Sequence, residues 1–378
     1  MRARDIGIDL AGEPGPLNAI TDVTGVQIGM VTLIEDFPES EAACRTGVTA
    51  ILPLGRAGIG TSVPAGICAL NGNGEMTGSH WIAEIGALSG PVMITNTHAV
   101  GTIHRGVIDW TSANRPDLAT EWLLPVVAET WDGYLNSINE DYVQPHHAGQ
   151  AIARAVGGPV AEGSCGGGTG MNCYGFKGGN GTASRTVEFA GQPYAVGAFI
   201  QANFGSRHEL TIQGLPMGDL DVPDPLAGDW FVADRRERPA PAPPGAGSVI
   251  VILATDAPLL PLQCQALARR VPLGLARTGT CGSHFSGDLF LCFSTGNPGA
   301  LDSGFPHGSE GLREFTFVPW NRLDRFFAAV VQTVEEAVLN ALVSNADMQG
   351  RSRHFSPALP IDQVKQRLRH RSRFHHGA

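Results

Sequence analysis

The chain has 378 residues, 43% of them hydrophobic, with a formal net charge of −10. Apolar residues spread along the whole length supply a large packed core and exclude a disordered chain. The acidic balance argues against general nucleic-acid binding.

Charged residues make up only 16% and glycines number 49, so the chain needs many turns and close backbone approaches. The length fits one large sandwich or barrel, and no internal repeat is visible. Seven cysteines (44, 68, 165, 173, 264, 281 and 292) form no CxxC pair and sit mostly in apolar or Gly-rich segments. They read as buried reduced thiols, which suits a cytoplasmic location. Residues 1–18 carry no apolar signal region, and no run is read as a membrane span.

In chain order, short apolar runs between Gly clusters predict buried strands at Val48–Leu54, Val92–Thr95, Ala195–Ile200, Val249–Ala254 and Leu289–Phe293. Longer periodic patterns predict helices near 118–135, 145–156, 258–272 and 322–346. Helices mixed with many buried strands predict sheets sandwiched by helices.

Glu129 lies in VVAETWDGYLN. A carboxylate among apolar and aromatic neighbours suits a substrate ammonium, although a surface Glu gives the same pattern. Tyr142 in NEDYVQPHH is equally ambiguous. The stretch 161–184 suggests a phosphate loop but fails the test. Gly170 to Lys177 carries an extra residue before the Lys and no Ser/Thr after it. Asn203 follows a buried run, where an amide can donate to an oxyanion or simply form a turn. His98, His104, His146, His147, His208 and His284 are scattered and no HExxH occurs, so no metal is expected. There is no GxSxG elbow.

Residues 215–247, with Pro223, Pro225, Pro239, Pro241, Pro243, Pro244 and the run DRRER, read as a surface linker. It stops at Gly247-Ser248, where an apolar strand begins. Ser248 would be an N-terminal nucleophile if the chain cut itself there. A free α-amine with an unperturbed pKa of about 8 would then serve as its base. An ordinary loop-to-strand boundary has the same appearance. Further on, Ser286-Gly287-Asp288 enters a strand. A carboxylate two residues from a hydroxyl can orient a proton relay, or merely close a turn. The basic tail, 350–378, reads as a solvated or subunit-contact arm.

Taken together, these segments resemble the DmpA-like family of L-aminopeptidase/D-esterases and β-peptidyl aminopeptidases. The matching stretches run nearly end to end: GPLNAITDVTGVQIGMVTLI (15–34), RTGVTAILP (45–53), NGNGEMTGSHWI (71–82), ITNTHAVGTIH (94–104), PVVAETWDGYLN (125–136), GGGTGMNCYGFKGGNGTASR (166–185), QANFGSR (201–207), GSVIVILATDAPL (247–259) and SGDLFLCFSTGN (286–297). The resemblance implies one four-layer αββα sandwich spanning 1–378, of the kind found in N-terminal-nucleophile hydrolases. It also implies self-cleavage into 1–247 and 248–378, which stay associated, typically as a homotetramer of the processed pair. Ser248 would then be the nucleophile, Ser286 and Asp288 the relay, Asn203 with backbone amides the oxyanion site, and Glu129 the amine binder with Tyr142 in the same pocket. Some members carry Glu where this chain has Asp288. No metal or cofactor is implied.

Two other readings compete. A same-fold acyltransferase or amide hydrolase acting on a non-peptide metabolite would use Thr at the nucleophile position, where this chain has Ser248. A structural oligomer would have no need of Ser248, Ser286, Asp288, Asn203 and Glu129 together. The acyl group (L-α, D-α or β) is left open by the sequence.

Overall fold

Long strands buried on both faces build the core. The computed structural model describes residues 1–121, 123–226, 247–303 and 311–375. Strands β1 (Gln27–Asp36), β2 (Ala43–Leu52), β3 (Val63–Ala69), β4 (Ala87–Leu88), β5 (Val92–Asn96) and β6 (Val126–Thr130) come first. The short β7 (Asn172–Cys173) and β8 (Phe176–Lys177) precede the long hairpin of β9 (Gly179–Phe189) and β10 (Gln192–Asn203). The hairpin of β11 (Thr211–Ile212) and β12 (Leu215–Pro216) follows, then β13 (Gly247–Thr255), β14 (Ser286–Ser294), and the small pair β15 (Met348–Gln349) and β16 (Phe355–Ser356). The helices are α1 (Ser79–Ile85), α2 (Val100–Asn114), α3 (His146–Ala153), α4 (Pro261–Ala268), α5 (Val271–Ala276), α6 (Asp324–Val343) and α7 (Ile361–His375).

Two sheets form the centre. One has the order β1-β2-β5-β6, the other β4-β3-β14-β13-β10-β9. In β13, Ile250 and Ile252 face the other sheet and meet Ile51, Ile94 and Ala128. Val249, Val251 and Leu253 face outward onto Leu267, Leu275, Phe326 and Val334 of the helices. This is the period-two alternation of a strand buried on both faces. On the far side, Val48, Ala50 and Leu52 of β2 pack against Ile103, Val107 and Ile152 of α2 and α3. The result is an αββα stack, as the sequence predicts.

All five predicted strands form. The predicted helix at 118–135 does not: Val126–Thr130 is strand β6, paired in parallel with β5. Pro125 on one side and the turn at 132–136 on the other confine that apolar run to strand length, and pairing with β5 buries it completely. The 258–272 pattern splits into α4 and α5, with Pro272 in the first turn of the second. Helix α2 escapes the sequence reading because Gly106 and Thr111 interrupt its apolar stripe.

Helix α6 corrects the expectation that no run reaches membrane length: by length and composition it is apolar enough to cross one. Yet 78% of its apolar window is buried, and it packs on β9 and β10 as the core helix. Nor is the tail a free arm. Leu359 and Val364 are buried in the outer core, with Ile361 and Leu368 packed against it. Of the expected linker, Leu215–Pro216 pairs with Thr211–Ile212 and Leu220 is buried, while 227–246 lie outside the described residues. Cys281 is exposed, unlike the buried thiols expected, and the seven cysteines are all unbridged.

Candidate active site

Ser248 is the second residue of β13 and is buried at 2% exposure. It stands opposite Asn203, the last residue of β10, and opposite Gly287 of β14. The Trp131 backbone N–H, just past the end of β6, donates to Ser248 Oγ at 3.3 Å. The Trp131 carbonyl in turn accepts from Asn203 Nδ2 at 2.9 Å. Asn203 Oδ1 takes the Asn172 N–H at 2.9 Å, which fixes the orientation of the amide. Strand ends from both sheets thus meet at the Ser248 hydroxyl.

Gly247 must be glycine for steric reasons. A Cβ there would lie 2.1 Å from the Asn203 carbonyl oxygen, a distance no side chain tolerates.

Ser286 and Asp288 lie on one face of β14, as residues two apart on a strand must. Ser286 Oγ donates to Asp288 Oδ1 at 2.5 Å, and Asn71 Nδ2 donates to Asp288 Oδ2 at 3.1 Å. Burial raises the Asp288 pKa above the usual carboxylate range, with the Ser286 and Asn71 hydrogen bonds opposing. The register sets Ser286 opposite Gly247 and Asp288 opposite Val249. Cross-strand partners share a face, so the Ser286–Asp288 pair sits beside the Gly247–Ser248 peptide. Ser248 Oγ emerges on the other face, toward Trp131. No hydrogen bond links Ser286 to that oxygen.

Glu129 is buried at 3% exposure on β6. Its carboxylate accepts from the Glu75 N–H at 3.0 Å and from the Thr97 hydroxyl. Burial is the main cause of its raised pKa, and those two hydrogen bonds pull the other way. It lies close to the Ser248 strands: a Cβ on Gly74 would be 3.2 Å from Glu129 Oε1 and 3.1 Å from Gly287 Cα. The loop 71–75 therefore closes over both groups. Tyr142 is placed differently. It stacks on Phe37 with ring centroids 5.4 Å apart and shares no hydrogen bond with the other candidate residues.

Sequence reading missed Asn71, Thr97 and the Trp131 backbone. Asn71 stands in the motif NGNG, and Thr97 follows a strand end. Their reach to Asp288 and Glu129 depends on chain crossings that no local pattern records. Among the described residues, no group of three or more His, Cys, Asp or Glu converges in a way that could hold a metal.

A sandwich of this layering has the architecture of the N-terminal-nucleophile hydrolase fold, and a buried serine stands at the head of a central strand. The chain belongs to peptidase family S58, whose model matches residues 18–356. It is 44% identical over 372 residues to the β-peptidyl aminopeptidase BapA of Sphingosinicella microcystinivorans, covering 96% of this chain and 91% of that protein. The BapA of Sphingosinicella xenopeptidilytica is 40% identical over 370 residues, covering 96% and 90%. Among solved structures, the L-aminopeptidase D-Ala-esterase/amidase of Ochrobactrum anthropi superposes with a TM-score of 0.88 at 42% identity, covering 98% of this chain and 99% of that one. It is described as a prototype of the serine aminopeptidases and a new variant of the Ntn hydrolase fold. A Burkholderia β-aminopeptidase superposes with a TM-score of 0.87 at 41% identity, covering 98% and 99%.

Proposed function

We propose that the protein is a self-processing serine aminopeptidase that removes N-terminal residues from small peptides, amino-acid amides or esters. The observation that carries this reading is Ser248 Oγ at the head of β13, 3.3 Å from the Trp131 N–H and beside the locked amide of Asn203. The L-α, D- and β-aminoacyl groups named for the relatives are the candidate substrates.

In the first turnover, Ser248 Oγ attacks the carbonyl carbon of Gly247, which carries no side chain to obstruct it. The peptide C–N bond breaks as the acyl group moves to oxygen, and water hydrolyses the ester. Residues 1–247 leave a carboxylate and residues 248–378 begin with a free amine. That amine, with a pKa of about 8, is the base for later turnovers. Because Ser286 sits opposite Gly247, the Ser286–Asp288 pair lies on the amine side of the nucleophile and serves to hold and pass its proton.

In peptide hydrolysis, the substrate ammonium pairs with Glu129 and its carbonyl carbon meets Ser248 Oγ. The Trp131 N–H and the second Asn203 amide N–H stabilise the tetrahedral oxyanion, each worth about 3 kcal/mol at such sites. The leaving amine takes a proton, and water then releases the acyl group. The two processed chains stay together in one αββα unit and assemble as a homotetramer. A cytoplasmic location is supported by the unbridged cysteines.

Gel electrophoresis of purified protein tests the core of this reading. Wild type should run as two bands, with Ser248 at the start of the smaller, and Ser248→Ala as one inactive full-length chain. Cleavage of the Ala variant at the same bond would sink the nucleophile assignment.

A further inference from the structure

Asp132 follows Trp131 and has no part in the chemistry above. It is completely buried, and it anchors the turn that ends at Asn136. Its backbone carbonyl accepts the Leu135 and Asn136 N–H groups at 3.1 and 3.0 Å. Its Oδ1 accepts from Asn136 Nδ2 at 3.0 Å, while Oδ2 has no hydrogen-bond partner. Asn136 Oδ1 takes the Arg45 N–H at 2.9 Å, which ties the turn to β2. An unused carboxyl oxygen buried within one residue of the Ser248 contact is costly unless it has a purpose.

We propose that Asp132 is a positioning residue for the nucleophile: its side chain sets the turn that presents the Trp131 N–H to Ser248 Oγ. It does so as the uncharged acid. A carboxylate there would leave Oδ2 uncompensated and would oppose negative charge forming at the neighbouring oxyanion. The groups that face it divide, and burial prevails. Burial pushes its pKa up to about 7 and Glu129 adds to that rise, while the nearby Thr46 hydroxyl and the Asn136 hydrogen bond oppose it. Lys177 favours the carboxylate while it carries its charge, but burial brings its own pKa down to about 7, and the Cys44 thiol is also within electrostatic reach. The consequence is a pH dependence built into the oxyanion wall: activity falls as Asp132 ionises.

This inference rests on the aminopeptidase reading, which wild-type turnover of an aminoacyl p-nitroanilide checks independently. The test is the kcat ratio of processed Asp132→Asn to wild type across pH. Asn keeps the shape and the acceptor for Asn136 but cannot ionise. The ratio should stay near one in mild acid and rise about tenfold once wild-type Asp132 has ionised, the order expected for a charge held near a developing oxyanion. KM should change little. A ratio that stays flat with pH overturns the proposal, as does a uniform loss of activity. Thr46→Val provides a second measurement that preserves volume. It removes a hydroxyl whose proximity lowers the Asp132 pKa, so the alkaline decline should move to higher pH; an unmoved decline overturns the proposal whatever the Asn variant does.

Discussion

Replacing Glu129 by Gln isolates the charge of the amine-binding carboxylate without reshaping its pocket. Glu129 is almost wholly buried, with the Glu75 N–H and the Thr97 hydroxyl as donors. A Gln can keep both contacts, since its carbonyl accepts from Glu75 and its amide donates to the Thr97 oxygen, which is also an acceptor. Stability should therefore stay nearly constant. The free carboxylate is strained by burial, as its raised pKa shows, and an incoming ammonium relieves that strain. A buried hydrogen bond to a charged group is worth about 1.5–3 kcal/mol. At 1.36 kcal/mol per tenfold, a loss of about 2–3 kcal/mol lowers kcat/KM by about 30- to 150-fold. The assay compares kcat/KM for one aminoacyl p-nitroanilide, free and N-acetylated, in both proteins. Wild type should strongly prefer the free amine, and the variant should lose most of that preference. A variant within about threefold of wild type on the free-amine substrate would refute the reasoning, because charge pairing predicts at least tenfold. An equal loss on both substrates would refute it as well.

Asp288→Asn keeps the Ser286 and Asn71 contacts but removes the charge, and should lower kcat by about 100-fold with little change in melting temperature. Normal turnover by its folded fraction would reduce Asp288 to a turn residue. Gly247→Ala pushes a methyl group into the Asn203 carbonyl, so processing should slow sharply and the precursor should lose about 1–3 kcal/mol in urea unfolding. Unchanged band intensities over time would show that the strand head can shift. Lys177 donates to the Met171 and Gly178 carbonyls at 2.8 and 2.7 Å and has its pKa brought down to about 7 by burial. Its folded pKa lies below its unfolded value, so the unfolded chain binds more protons and stability rises with pH above about 7. The buried Cys44 and Cys173 and the partly buried Cys165 have raised pKa values and act in the opposite sense above about pH 8.5. Wild type should therefore gain stability between about pH 7 and 8.5, and Lys177→Met should not; equal slopes would contradict a neutral lysine.

Local chemistry made much of this protein legible in its sequence. Runs such as Val249–Ala254 read as buried strands, because six successive apolar residues next to Gly-Ser have no solvent face to offer. The Pro- and charge-rich segment ending at Gly247 marked Ser248 as a strand-opening hydroxyl. Ser286 and Asp288, two residues apart, were bound to share a face once the strand was placed. What required the tertiary structure was every relation between segments. Residues 118–135 carry an apolar pattern that also suits a helix, and only pairing with β5 made Val126–Thr130 a strand. The basic tail lost its apparent freedom because Leu359 and Val364 found the outer core. The stacking of Tyr142 on Phe37 joins segments far apart in the chain. Asn71, Thr97 and Trp131 joined the site through contacts spanning 217, 32 and 117 positions of chain. Sequence patterns report which face of an element is apolar, whereas a site depends on which element ends meet. That is fixed by packing two sheets face to face, and no single segment carries the information.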